Sequence, residues 1–501
     1  MLDLFNNLAM GFAGAATLDN LFYALVGCLM GTLVGVLPGI GTIPTVAMLL
    51  PLTFGIAPLS GLIMLAGIYY GAQYGGSTAA ILVRMPGEAG SIVTSLDGYE
   101  MAKKGRGGAA LSIAALASFF AGTVATLLIG AFGASLASVA GKFHSADYFS
   151  LMVLGLVMSI VLAHGSVFKA VAVMLIGLLF GLVGTDLNSG AQRYTFGIPE
   201  MWEGINFLAI SIGLFGLVEV VRNLEFPEGP VAKVKTSLKS LYPSKQEFRE
   251  SAPAAVRGTV IGSILGILPG GGAVLASFAS YTMEKRLSKT PEAFGKGAPA
   301  GVAAPEAANN AGAQTSFIPL LTLGLPSNPM MALLMGAMMI HGIAPGTAII
   351  SDRPDLFWGL IASMWIGNAM LLVLNLPLVG LWVKLLSVSY RVLFPAIMMF
   401  CVIGVYSEAA SGFQVMMLGF FTLLGYILWR CNCEPAPMVL GFILGPMMEE
   451  NLRRALTVAD GDFGIFVQRP ISATLLLGAL GLVLLIVSPS LRRKRESTFQ
   501  E

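Results

Sequence analysis

Gly27, Gly31 and Gly35 run at four-residue spacing into Leu37-Pro38-Gly39-Ile40-Gly41, and Gly258, Gly262 and Gly266 run at the same spacing into Leu268-Pro269-Gly270-Gly271-Gly272. The two phrases lie 231 residues apart (Gly27 to Gly258), too far for a solenoid period, so they mark a duplicated unit. Glycines at i, i+4 and i+8 share one helix stripe and let a second backbone approach closely. The proline and glycines that follow end the helix, because proline lacks a backbone donor and glycine readily takes a positive φ. A second breaker follows each phrase: Leu82-Val83-Arg84-Met85-Pro86-Gly87 in the first copy and Thr322-Leu323-Gly324-Leu325-Pro326-Ser327 in the second.

These breakers are set in an apolar chain. Of 501 residues, 56% are hydrophobic and 11% charged, against about 25% charged in an average soluble protein. Mean hydropathy is +0.81. Too little polar surface remains to coat a water-soluble enzyme, and a disordered chain is excluded as well. The formal net charge of +2 gives no reason to expect a nucleic-acid partner. Cys28, Cys401, Cys431 and Cys433 form no disulfide framework, and the last two are too close for a CxxC site.

No Asp, Glu, Lys or Arg occurs in 20–83, 107–141, 258–283, 307–351, 356–383 or 470–491. A spanning helix needs about 20 apolar residues, and in lipid the backbone must satisfy its own hydrogen bonds. The reading is an all-α polytopic membrane protein with about 11–12 transmembrane helices plus re-entrant or broken helical hairpins. The alternation of a transmembrane barrel is missing. The first basic residue is Arg84, so no signal peptide is expected.

Positive charge orients the bundle. Basic clusters at 103–106, 222–257, 285–296 and 492–495 should face the cytoplasm, with the N-terminus outside. The expected organisation is a first transporter repeat over 1–222, a cytoplasmic linker over 223–257 holding four prolines, and a second repeat over 258–501. The first hairpin would then enter from outside and the second from the cytoplasm, giving two inverted-topology repeats. Paired broken helices in such repeats are the sequence pointer to a transporter's midplane site; the alternative is close helix packing around two tight turns.

Breakers of this kind expose N–H groups and helix N-termini, which present partial positive charge. Pro38, Gly39, Ile40, Gly41 and Pro269, Gly270, Gly271, Gly272 offer backbone donors; Gly76, Ser77 and Thr78, and Thr315, Ser316, Pro326 and Ser327, offer hydroxyls and turns near the second breakers. Those hydroxyls are equally suited to bond back to their own helices. Arg84 fits either a bidentate partner for a bound acid group or an interfacial anchor. Asn309 and Asn310 suit a carboxylate or a cation, and Glu306 before them suits a coupling ion or proton, or a helix N-cap. No catalytic or metal-binding motif is found among the three histidines or around any serine. An intramembrane hydrolase or a passive anion channel stands as the alternative function.

Several strings also resemble the TctA family, the large membrane subunits of bacterial tripartite tricarboxylate transporters. They are Gly71-Ala72-Gln73-Tyr74-Gly75-Gly76-Ser77-Thr78, Pro86-Gly87-Glu88, Leu96-Asp97-Gly98-Tyr99-Glu100-Met101-Ala102, Gly301-Val302-Ala303-Ala304-Pro305-Glu306-Ala307-Ala308-Asn309-Asn310-Ala311, Phe317-Ile318-Pro319-Leu320-Leu321-Thr322-Leu323-Gly324 and Asn451-Leu452-Arg453-Arg454-Ala455-Leu456. Arg84 departs from the pattern, where the family often has Asn. The resemblance implies a multi-pass inner-membrane subunit, not an enzyme, that imports a citrate-like di- or tricarboxylate. It implies two partners, a small four-helix membrane subunit (TctB-like) and a periplasmic solute-binding protein (TctC-like). It implies no cofactor, with Na+ or H+ as the coupling ion; the absence of a GxxxxGK[ST] loop agrees.

Overall fold

The computed structural model describes residues 2–37, 42–53, 55–84, 87–140, 142–162, 166–186, 189–225, 241–268, 272–385 and 390–487. Pro38, Gly39, Ile40, Gly41, Pro269, Gly270 and Gly271, and residues 226–240 of the expected linker, lie outside the described residues.

The first part of the chain forms α1 (Leu2–Ala15), α2 (Leu18–Val36), α3 (Thr42–Leu49), α4 (Pro58–Val83), α5 (Thr94–Met101), α6 (Gly107–Ala140), α7 (Ser145–Leu162) and α8 (Val167–Gly181). A two-stranded antiparallel hairpin, β1 (Gly184–Thr185) and β2 (Gln192–Arg193), precedes α9 (Phe207–Ser211), which continues through a π-turn into α10 (Val218–Glu225). The second part forms α11 (Lys245–Ile267), α12 (Gly272–Leu287), α13 (Ala300–Thr315), α14 (Phe317–Leu323), α15 (Pro329–Ile340), α16 (Thr347–Asp352) and α17 (Pro354–Asn375). It ends with α18 (Val379–Leu385), α19 (Tyr390–Ala409), α20 (Gly412–Arg430), α21 (Ala436–Val458), α22 (Ile465–Gln468) and α23 (Pro470–Val487). The all-α polytopic class read from composition is the class observed.

Among the described residues, four helical stretches are long and apolar enough to cross a membrane: Leu18–Val36, Thr94–Gly133, Pro354–Asn375 and Gly412–Arg430. Shorter apolar helices cover Ser145–Ile160, Val167–Gly181, Pro329–Ile340 and Pro470–Leu484. Their outward sides carry large apolar residues such as Phe22, Phe168, Leu179 and Leu477, as lipid contact requires. By contrast α4 is buried from Ser60 to Val83. A helix enclosed all round has no polar face to show.

The glycine stripes explain how α4 is enclosed. A Cβ on Gly27, Gly31 or Gly35 would lie 2.2 Å from the carbonyl oxygens of Met64, Ile68 and Ala72 respectively. A Cβ on Gly258, Gly262 or Gly266 would lie 2.3 Å from those of Ala304, Ala308 and Gly312. Residue numbers rise together in both sets, so α2 runs parallel to α4 and α11 runs parallel to α13. Parallel neighbours require the chain to turn back between them, and α3 and α12 supply the return. Ser280 Oγ bonds the Ala304 carbonyl at 3.0 Å, and Gly312 packs on Ala273, so α12 is antiparallel to α13.

The two long helices meet each other head to tail. Tyr70 and Phe317 have ring centroids 6.0 Å apart, while Ser77 bonds Glu306 at 2.5 Å. As α4 advances, its partner on the α13–α14 side recedes. One end of α4 lies by Thr53 and His341, which are 3.3 Å apart; the other ends at Arg84 over the Tyr99 ring. At this second end Asp97 ties the two parts together. Its Oδ1 accepts from the backbone of Gly295, Gly297 and Ala298 at 2.7–2.9 Å and its Oδ2 from Tyr281 at 2.9 Å. Arg106 pairs with Glu247 nearby. The opposite end is fastened by Arg193–Glu449 at 2.9 Å and Arg469–Asp147 at 2.7 Å.

Candidate functional site

Both second breakers terminate their helices in the same way. Arg84 caps α4 at φ 59°, ψ 24°, and Gly324 caps α14 at φ 68°, ψ 27°. These positions are 240 residues apart (Arg84 to Gly324). The left-handed conformation suits glycine and, less well, asparagine, so an arginine there carries backbone strain. The Arg84 side chain is exposed, its guanidinium 5.9 Å from the Tyr99 centroid. The structure does not bring it to the buried polar residues described next.

Those residues gather where α4, the 87–93 segment, α5, α6 and α13 converge. Glu306 is fully buried. Its Oε2 accepts from Ser77 at 2.5 Å and Ser118 at 3.4 Å, and its Oε1 accepts from Thr94 at 2.6 Å. Asn310 donates to Ser118 at 2.7 Å and to the Glu306 carbonyl at 3.1 Å. Asn309 donates to Glu88 Oε1 at 2.7 Å, while its Oδ1 is buried and has no hydrogen-bond partner among the described residues. Ser277 Oγ of α12 bridges the carbonyls of Gly90 (2.8 Å) and Pro305 (2.9 Å), pinning the 87–93 segment against α13. Pro305 sits inside the helix, where its missing backbone donor leaves the Gly301 carbonyl without its intrahelical partner.

Glu306 therefore does not cap its helix. It lies inside α13, held by hydroxyls from three other elements, with no Arg or Lys pairing with it or with Glu88 among the described residues. A cavity of ≈ 10 Å³, lined by Tyr74, Ser77, Ser118, Glu306 and Asn375, adjoins the carboxylate. That is about the room one water needs. A far larger cavity of ≈ 650 Å³ opens at the end fastened by Arg193 and Glu449, where Tyr148, Thr347, Asn451 and Arg454 line it, and reaches the second breaker at Leu323 and Gly324.

The residues proposed from sequence separate into groups. Gly76, Ser77, Glu306, Asn309 and Asn310 come together; a Cβ on Gly76 would meet Glu88 Cγ at 2.9 Å and Ser91 Oγ at 3.2 Å. Gly272, Ser316, Pro326 and Ser327 gather where α12 begins and α14 hands over to α15. Ser327 donates to the Ser316 carbonyl at 3.3 Å, and a Cβ on Gly272 would lie 3.5 Å from the Asn328 amide nitrogen. Thr78, Thr315 and Ser316 donate to carbonyls of their own helices at 3.2, 2.9 and 2.6 Å. Glu88, Thr94 and Ser118 were not singled out by sequence reasoning. Glu88 had a signal, an acid directly after a Pro-Gly breaker; Thr94 and Ser118 had none, being ordinary hydroxyls whose partner is more than 180 residues away.

The family described as "Tripartite tricarboxylate transporter TctA family" matches residues 21–440 of the chain. A protein of Agrobacterium vitis named "Uncharacterized 52.8 kDa protein in TAR-I ttuC' 3'region" is 56% identical over 501 residues, covering 100% of both chains. A second from the same organism, "Uncharacterized protein in TAR-II ttuC' 3'region", is 58% identical over 240 residues, 48% of this chain and 99% of its own. No solved structure matches.

Proposed function

Because the chain belongs to the tripartite tricarboxylate transporter TctA family, we propose that it is the large membrane subunit of a secondary active importer for a di- or tricarboxylate. The observation that carries this reading is the antiparallel meeting of α4 with α13–α14, each ended by a left-handed breaker, around a buried carboxylate. Interrupted helices in opposed pairs let one bundle rock against the other about a fixed centre. Pro38–Gly41 and Pro269–Gly271 supply the substrate's backbone donors, and Ser316, Ser327 and Gly272 add to them. Glu306, with Asn309 and Asn310, responds to the coupling ion, Na+ or H+.

The sequence halves 1–222 and 258–501 act as the two inverted repeats, joined by the 223–257 linker on the cytoplasmic side. The ≈ 650 Å³ cavity then opens to the extracytoplasmic side, where a periplasmic solute-binding protein delivers the carboxylate. A small four-helix subunit accompanies the chain in the inner membrane. The confinement of Glu306 beside a one-water cavity, away from the wide vestibule, favours alternating access over a passive anion channel.

The test is uptake into proteoliposomes holding the chain with its small subunit and cognate binding protein. A panel of labelled carboxylates is offered with the Na+ and proton gradients varied separately. Accumulation above equilibrium that an ionophore abolishes is the expected result; equilibration alone would identify a channel.

A further inference from the structure

We propose that Glu88 and Asn309 form the seat of a bound Na+ ion, beside Glu306 and distinct from the hairpin tips that take the carboxylate. The proposal rests on the coupled-transport reading above and gives its ion a place and an identity. The first support is the orphaned amide oxygen. Asn309 is 0% exposed and spends its Nδ2 on Glu88, leaving Oδ1 without a donor among the described residues. A buried carbonyl oxygen left unmet is destabilising, and a cation ligates it without needing a proton.

The second support is convergence. A Cβ placed on Gly90 would lie 2.2 Å from Asn309 Oδ1 and 2.6 Å from Glu88 Oε1. Both oxygens thus crowd the same face of Gly90, where any side chain would displace them. Ser91 and Ser77 hydroxyls, 3.4 Å apart, continue the oxygen lining toward Glu306. A carboxylate, an amide oxygen and hydroxyls are the donor set of a hard cation, and none of the three-residue His, Cys, Asp or Glu groupings that hold transition metals occurs among the described residues. Two carboxylates without an Arg or Lys partner leave the charge for the ion to neutralise. Glu88 is only half-buried, which keeps the seat in reach of water.

The third support is the other half of the molecule. The 240-residue spacing that relates Arg84 to Gly324 places Asn328 opposite Glu88, Tyr69 opposite Asn309, and Ala66 opposite Glu306. Tyr69 and Asn328 do lie side by side, with Ser316 adjoining. The same pairing is therefore built twice, once with two carboxylates and once with none. A cation is favoured at the first alone, and the neutral one is left to face an anion.

The test is thermal unfolding of the purified full-length chain in detergent, titrated with NaCl against choline chloride or KCl at constant ionic strength, with no carboxylate present. A ligand that binds the folded state raises Tm with its concentration. The unaltered chain should be stabilised by Na+ and not by K+ or choline. Glu88→Gln, Asn309→Ala and Gly90→Ala should each raise the half-saturating Na+ concentration by about tenfold or more. Asn309→Asp, which keeps the oxygen, should retain the Na+ response; together with unfolding curves in choline it separates lost binding from lost folding. Identical curves in Na+ and K+ for the unaltered chain, or a full Na+ response in Glu88→Gln, would overturn the proposal. Proton-driven carboxylate uptake with no Na+ effect would remove the Na+ seat and leave the importer standing. Na+ binding without carboxylate uptake would do the reverse.

Discussion

Replacing Gly31 by alanine tests the packing on which the centre depends. The added Cβ would lie 2.2 Å from the Ile68 carbonyl oxygen and 2.8 Å from its C and Cα, whereas ordinary contact begins at 3.4 Å. Backbone atoms of a buried helix have no rotamer by which to move aside, so α2 and α4 must separate by about 1 Å, enough to forfeit a quarter to a half of each nearby dispersion contact. Overpacking of this kind costs roughly 1–3 kcal/mol. The displacement also reaches the site, because α4 carries Ser77, whose bond to Glu306 is 2.5 Å. Gly262→Ala should behave alike, its Cβ meeting the Ala308 carbonyl oxygen at 2.3 Å. Gly481, in α23, has nothing within 4 Å, and there alanine should be neutral or stabilising by up to about 1 kcal/mol through helix propensity. Unfolding of the purified variants, with uptake measured on the same preparations, reads both effects. Gly31→Ala and Gly262→Ala as stable and as active as Gly481→Ala would refute the close-approach account.

Three further outcomes follow from particular contacts. Asp97→Asn exchanges a carboxylate that accepts four hydrogen bonds for an amide that cannot accept them all; stability should fall by at least ~2 kcal/mol, read as a lower Tm. Arg84→Asn should keep transport and hold or raise Tm, since asparagine tolerates the left-handed cap better and the arginine lies outside the buried cluster; a loss of uptake would restore Arg84 to the site. Ser77→Ala removes a charge-assisted donor to Glu306 and should lower stability by roughly 1–3 kcal/mol, while Thr78→Ala, whose hydroxyl serves only its own helix, should be close to neutral by the same unfolding measurement.

Much of this arrangement was legible in the sequence because its causes are local. Glycines four apart define a stripe whatever their surroundings, and both stripes proved to be backbone contacts. Charge-free runs and basic clusters set the helical class and the two ends. Arg84 and Gly324 could be matched as breakers by their prolines, yet the left-handed caps they share are visible only in the backbone. Thr94, Ser118 and Asp97 escaped notice because a hydroxyl or an acid acquires its role from a partner distant in the chain. Glu306 was read as a coupling group or a helix cap, and only the placement of Ser77 and Thr94 around it set the cap aside. The turns Pro38–Gly41 and Pro269–Gly271 lie outside the described residues, so their donor role rests on sequence.

The account as a whole requires Glu306 to link the ion to the substrate, and Glu306→Gln measures that link. In proteoliposomes the variant should still exchange labelled for unlabelled carboxylate across the membrane, because exchange needs only the moving bundle and the substrate seat. It should no longer accumulate carboxylate when an ion gradient is imposed. Accumulation by Glu306→Gln to the level of the unaltered chain, with the same dependence on the ion, would contradict the account.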